Sequence, residues 1–297
     1  MAMHRLLRRA PLTSVVLLVA VACTDPTGAS PTPGSSSSPT PTPSATPALT
    51  PSAVPDADVA VIRIEQTGGM MPPWETMRWY PTVALFGDGR LITQGPQLEM
   101  YPGPALPNLQ VTHFSQHAVE QALSWAAEAG LHGEDRFLGP MLLDAGALVF
   151  TVVSAGATHH TSVSDISFND PAINAVREFQ DVMTGLEGWL PNDVASAAAP
   201  FGWDRLRVIS FPSDPASLPD PALVHTVDWP LADLSTLGAS WSEPAQYRCF
   251  ELAGDDLAVV RPTFELANEL TLYRSADVTY QLYLHPLLPD DVACPGF

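Results

Sequence analysis

The 297-residue chain carries 13 basic and 32 acidic residues, a formal net charge of −19, and so acidic a balance argues against nucleic-acid binding and electrostatic docking on anionic lipid. All 13 basic residues are Arg; without Lys, Schiff-base chemistry, Walker A nucleotide binding and Ser-x-x-Lys acyl transfer are excluded. His-Glu-x-x-His, Gly-x-Ser-x-Gly and Gly-x-Gly-x-x-Gly are absent too.

The first element is a leader. "MAMHRLLRRAP" holds Arg5, Arg8 and Arg9 and runs into the apolar "LTSVVLLVAVA". A basic start, a short apolar run and small residues before a cleavage point predict a secretory signal peptide over 1–22, too short for a stable membrane span. The small residues of "VAVAC" lead directly into Cys23 and resemble the bacterial lipobox, with Ala20 where Leu is more usual. Cys23 is therefore expected to become the lipidated N-terminus of the mature chain; an ordinary signal peptide with an incidental Cys is the alternative.

Residues 23–55 follow as a tether dominated by Pro, Ser and Thr. Such a composition buries too little apolar surface to offset chain entropy and is expected to stay disordered and partly polyproline-like. At about 3.1 Å per residue its limiting reach is roughly 100 Å, enough to hold a domain well off a membrane. Loss of the three leader arginines leaves 10 basic against 32 acidic residues, or −22.

The remaining 242 residues suffice for one large domain or two small ones. "VAVIRIEQ" reads as a strand, and "PTVALFGDGRLITQG" as strand, tight turn, strand around Asp88-Gly89. A phosphate or calcium loop at "GDGR" fails because no helix follows and the oxygen ligands are missing. After the proline-stiffened "YPGPALPNLQ", the run "SQHAVEQALSWAAEAGL" predicts a helix. Ser115 caps it, Val119, Ala122, Leu123 and Ala126 share one face, and Gly130 ends it. A second hairpin is expected around Ala155-Gly156. A second helix follows in "NDPAINAVREFQDVMTGL", capped by Asn169 or Asp170 with Pro171 in the first turn. Hairpin then helix, twice, predicts an α+β domain over 56–200: an antiparallel sheet with helices on one face.

A proline-bearing passage from about 191 to 203 introduces a smaller α+β unit, 201–297. Its strands are expected at "RLRVISF", "ALVHTVDW", "YRCFELA" and "VTYQLYLHPLL", with a helix at "DDLAVVRPTFELAN" kinked by Pro262. Cys249 and Cys294, late in an exported chain, are expected to form a disulfide; closing a loop of that length stabilises by about 4 kcal/mol on the chain-entropy account. A two-thiolate metal site lacks the usual close spacing.

The order of "GGMMPP", "LFGDGR", "YPGPALPNLQ", "AGL", "LANELT" and "HPLLPDDVAC" across most of 64–297 resembles the scattered motifs of an uncharacterised group of exported bacterial lipoproteins. That group carries a more aromatic, β-branched pair where Met70 and Met71 stand and Arg where His285 stands, so neither is implied to be a defining ligand. The resemblance implies the fold outline and no mechanism.

Several segments invite a sharper chemistry. Met70, Met71 and Met77, together with Met100 and a His, suit a soft metal such as Cu(I); Met as gap-filler with Trp74 and Trp79 covering a sheet edge explains the segment more simply. His159 and His160 are strand neighbours that point to opposite faces, and His113 falls outside a helix capped at Ser115 and so loses a common face with His117. "PDAD", "GEDR", "AGDD" and "LPDD" each bring two carboxylates close together, too few for calcium and suited to surface or capping roles. A carboxylate pair for hydrolysis forms only in three dimensions. Aromatics beside prolines in loops mark Trp74, Trp79, Tyr80 and Tyr101 as a partner surface. The expectation is a lipid-anchored, extracytoplasmic, non-catalytic module that binds a protein, peptide or envelope component, with no cofactor. A copper-binding lipoprotein and a carboxylate-dependent hydrolase are the alternatives.

Overall fold

The computed structural model describes residues 56–71, 73–97, 99–142, 144–240 and 247–295. The leader, Cys23 and the tether lie outside the described residues. Among the described residues no helix is long and apolar enough to cross a membrane.

The first part of the chain runs β1 (Ala60–Gly68), α1 (Pro73–Thr76), β2 (Val83–Phe86), β3 (Arg90–Gln94), β4 (Leu109–Phe114), α2 (Gln116–Glu128), β5 (Arg136–Leu138), β6 (Gly146–Ser154), β7 (Ala157–Val163), α3 (Pro171–Thr184), α4 (Leu186–Trp189) and β8 (Val194–Pro200). Its strands form one sheet in the order β5-β7-β6-β1-β2-β3-β4-β8, antiparallel except for the β5–β7 pair. The second part contributes β9 (Arg205–Pro212), β10 (His225–Asp228), β11 (Ala239–Ser240), β12 (Arg248–Ala253), α5 (Gly254–Leu266), β13 (Thr271–Ser275) and β14 (Val278–Pro286), ordered β10-β13-β14-β9-β12-β11. The architecture is α+β with two mostly antiparallel sheets.

Local chemistry accounts for the turns. Gly89 has φ +90°, and a Cβ there would stand 2.2 Å from the Phe114 carbonyl oxygen, so only Gly closes the β2–β3 turn against β4. Ala155 and Gly156 both have positive φ and pair Ser154 with Ala157 across a two-residue turn. Ser115 accepts from the Ala118 N–H at the start of α2. At the other end Leu131 donates to Ala126 and Gly130 to Ala127, a Schellman closure through the positive φ of Gly130. Asp170, rather than Asn169, caps α3, and Pro171 occupies its first turn. Pro262 sits inside α5, which continues to Leu266.

Alternation along β2 divides the core. Val83 and Leu85 face α2 and α3, where they meet Val119, Ile173 and Phe179. Ala84 and Phe86 point to the opposite side and pack with Tyr80, Ile92, Leu109 and Leu288. In the second sheet Leu206, Val208, Leu282 and Leu284 face α5 through Leu257, Val260 and Phe264. Contacts between the sheets come from their helix-free sides: Tyr80 donates its hydroxyl to the Pro286 carbonyl at 3.1 Å, and Arg207 donates to the Met77 carbonyl at 2.9 Å. Segment 287–295 runs between them as a strap, closed onto β12 by the Cys249–Cys294 disulfide.

Candidate functional site

The strap is held by a buried polar cluster. Arg63 on β1 reaches Asp290 at 2.6 Å and Asp291 at 3.0 Å. The second oxygens of these carboxylates are used as well: Asp290 Oδ2 accepts from the Ala60 N–H and Asp291 Oδ2 from the Leu288 N–H. Arg207 on β9, 6% exposed, donates to the carbonyls of Met77, Val292 and Ala293. His285 on β14 stacks flat under Tyr80 with ring centroids 3.9 Å apart, and its Nε2 lies 3.8 Å from Asp291 Oδ2.

Burial sets the protonation states. Burial alone would push Asp291 up, but the His285 contact, the Arg63 charge and the Leu288 N–H outweigh it and bring the carboxyl down to about 2. Desolvation lowers His285, and Arg207 adds to that against the raising effect of Asp291, so the ring is neutral at pH 7 and its contact with Asp291 is polar rather than ionic. Tyr80 is raised well above its ordinary value, first by burial and then by Asp291. These groups line a recess of about 420 Å³ beside Thr76 and Met77. Every carboxylate oxygen of Asp290 and Asp291 is engaged in holding the strap, so the cluster serves position.

A larger cleft opens between the sheets. It has a volume of about 620 Å³. One wall is formed by Arg78, Trp79, Tyr80 and Thr82; the opposite wall includes Tyr101, Pro104 and Pro107. That opposite wall is tied to the second sheet: Ala105 donates to the Ala267 carbonyl, Glu269 to the Gly103 carbonyl, and Gly103 back to Glu269 Oε1. The floor is the helix-free side of β14, with Gln281 and Tyr283. Arg78 lies 4.2 Å above the Tyr283 ring and pairs with Glu75 at 3.1 Å.

Three of the four aromatic residues singled out in the sequence, Trp79, Tyr80 and Tyr101, thus border one cleft. They differ in access: Tyr80 is 8% exposed and presents an edge because His285 covers a face, whereas Tyr101 is 53% exposed. Trp74 belongs to α1, but its side chain lies outside the described part of the structure. Met70 and Met71 are exposed beyond β1, while Met77 faces the recess. His113 bonds Ser196 and His117 bonds Asp193, His160 bonds Thr151, and His159 meets the Gly133 carbonyl. Among the described residues no three His, Cys, Asp or Glu side chains gather into a metal-holding group.

The acidic pair of "LPDD" departs from the surface or capping role expected of it. Asp290 and Asp291 are 25% and 10% exposed in their side chains and bind Arg63. Sequence reasoning also passed over Gln94, Gln97, Glu269, Gln281 and Tyr283, which border the cleft. For Gln281 and Tyr283 the one signal was alternation: in "VTYQLYLHP" the polar positions 281 and 285 share a face with Tyr283, opposite Leu282 and Leu284. Compared with protein-family models, with curated proteins and with solved structures, the chain matches none.

Proposed function

We propose that the chain is a lipid-anchored, extracytoplasmic, non-catalytic binding module that takes up a protein, peptide or envelope component in the cleft between its two sheets. The observation that carries this reading is the convergence of Trp79, Tyr80 and Tyr101 on one cleft of about 620 Å³. Binding sites are concave and combine aromatic anchors with polar groups that orient the ligand, and anchors of this type dominate binding energy. Such anchors gain most when rigid. Here the Tyr101 wall is fastened to the second sheet by backbone bonds at Gly103, Ala105 and Glu269, and the Trp79 wall by Arg207 at the Met77 carbonyl.

The anchoring half of the reading rests on the leader and Cys23. Cys23→Ala should move the protein from the membrane fraction to the soluble fraction, and retention in membranes would refute it. The binding half is tested with immobilised full chain and isolated envelope fractions. A component retained by the wild type and lost from a folded Trp79→Ala/Tyr101→Ala variant supports the cleft; equal retention by both sinks it. Turnover of a generic ester, glycoside or phosphate substrate that disappears with one acidic substitution would instead favour a hydrolase.

A further inference from the structure

The cleft has a polarity that narrows its ligand. Gln94 donates its Nε2 to the Tyr80 carbonyl at 3.4 Å, Gln97 to the Gly95 carbonyl at 3.0 Å and Gln281 to the Glu269 carbonyl at 3.2 Å. A carbonyl only accepts, so each bond fixes which end of the amide is nitrogen. The three Oε1 atoms are therefore the ends left for a ligand, and among the described residues no hydrogen bond goes to them. Glu269 adds carboxylate oxygens, one of which accepts from the Gly103 N–H. A cleft bordered by bare acceptors and by the half-buried Trp79 and exposed Tyr101 calls for a partner rich in hydroxyl or N–H donors that also presents flat C–H faces.

Charge chooses among such partners. Anions are opposed by the lining oxygens and by the chain's acidic excess of −19. A basic peptide would meet the Arg78 guanidinium, which borders the cleft, while the carboxylates around it are already engaged: Glu75 by Arg78, Asp220 by the Tyr101 hydroxyl, and one oxygen of Glu269 by the Gly103 N–H. A neutral polyhydroxylated ligand satisfies the acceptors at no charge cost, and its ring faces stack on indole and phenol.

Resting on the binding-module reading above, we propose that the cleft between the sheets is a glycan site: Trp79 and Tyr101 take sugar C–H faces, and the amide oxygens of Gln94, Gln97 and Gln281 receive hydroxyl hydrogens. The Gln residues select neutral sugars, and Glu269 orients the edge of the ring nearest Gly103.

The test uses the full chain in a sugar-free detergent, titrated calorimetrically with four neutral linear probes: cellohexaose, hexa-N-acetylchitohexaose, mannohexaose and arabinohexaose. At least one should bind saturably below about 5 mM, and Trp79→Ala or Tyr101→Ala should weaken it at least about tenfold, the loss expected of a truncated aromatic anchor. Gln281→Leu, which keeps size but removes the acceptor together with the Nε2 bond to the Glu269 carbonyl, should weaken binding while lowering the melting temperature by no more than about 3 °C. No saturable binding by any probe, or binding indifferent to all three substitutions, overturns the proposal. A photo-cross-linker placed at Tyr101 in cells separates this from the broader reading. A specific protein adduct without saccharide binding overturns the glycan class and leaves the binding module standing, whereas neither adduct nor saccharide binding removes both.

Discussion

The carboxyl of Asp291 is brought down to about 2 because its partners exist only in the folded chain. A carboxyl whose folded pKa lies below its unfolded value of 3.8 binds fewer protons when folded, so it contributes stability above pH 3.8 that is lost as pH falls toward 2. The depression corresponds to about 2 kcal/mol at neutral pH. His285 acts in the same direction at higher pH, since its lowered pKa favours the neutral folded ring and that advantage fades as pH drops below 6.5. Denaturant unfolding of the wild type should therefore weaken in two stages on acidification. Asp291→Asn should lose the lower one, flattening the pH 4 to pH 2 region relative to wild type; an unchanged slope there would show that Asp291 is not the linked group.

Among the elements, the β6–β7 hairpin places a non-glycine residue, Ala155, at φ 50°. Ala tolerates that conformation poorly and Asn well, so Ala155→Asn should stabilise the fold by about 0.5–1 kcal/mol, read as an increased denaturant midpoint without a change in slope. The same hairpin was legible in the sequence because its turn chemistry is local, as were the β2–β3 turn at Gly89 and the two capped helices. Five strands, β4, β5, β8, β11 and β13, were not legible, and β4 and β8 show why. β4 lies in "LQVTHF", straight after a proline-rich stretch and directly before the Ser115 cap, and it exists because β3 and β8 flank it. β8 is "VASAAAP", poor in β-branched residues, exposed along most of its length and ordered by pairing to β4. Propensity cannot reveal a strand whose stability comes from its neighbours.

The molecule as a whole depends on the strap, and here the site divides into a readable and an unreadable part. Cys249 and Cys294 could be paired by elimination, and loop aromatics could be suspected of binding. The glutamines of the cleft and the Arg63–Asp290–Asp291 cluster could not, since residues separated by 228 positions meet only once both sheets are built. Replacing both cysteines by Ser should destabilise the chain by about 4 kcal/mol on loop entropy, with a fall in melting temperature of roughly 10 °C.

Arg63 bears on a different property. The disulfide, Arg205 and Arg207 all fasten the strap to the second sheet, while Arg63 fastens it to the first through Asp290 and Asp291. Arg63→Ala leaves two carboxylates without that partner in a largely buried setting, a loss of about 3 kcal/mol, toward the lower end for buried pairs because Asp290 keeps 25% exposure. That loss falls on the bond between sheets rather than on either sheet's own core. Wild-type chain should therefore unfold in one calorimetric transition and Arg63→Ala in two, or in one markedly broadened, whereas the cysteine variant, which cuts the strap from β12 and keeps Arg63, should melt lower in a single step. Identical single transitions for wild type and Arg63→Ala would mean that the apolar cluster of Tyr80, Phe86, Ile92 and Leu288 couples the sheets without help from the strap's charges.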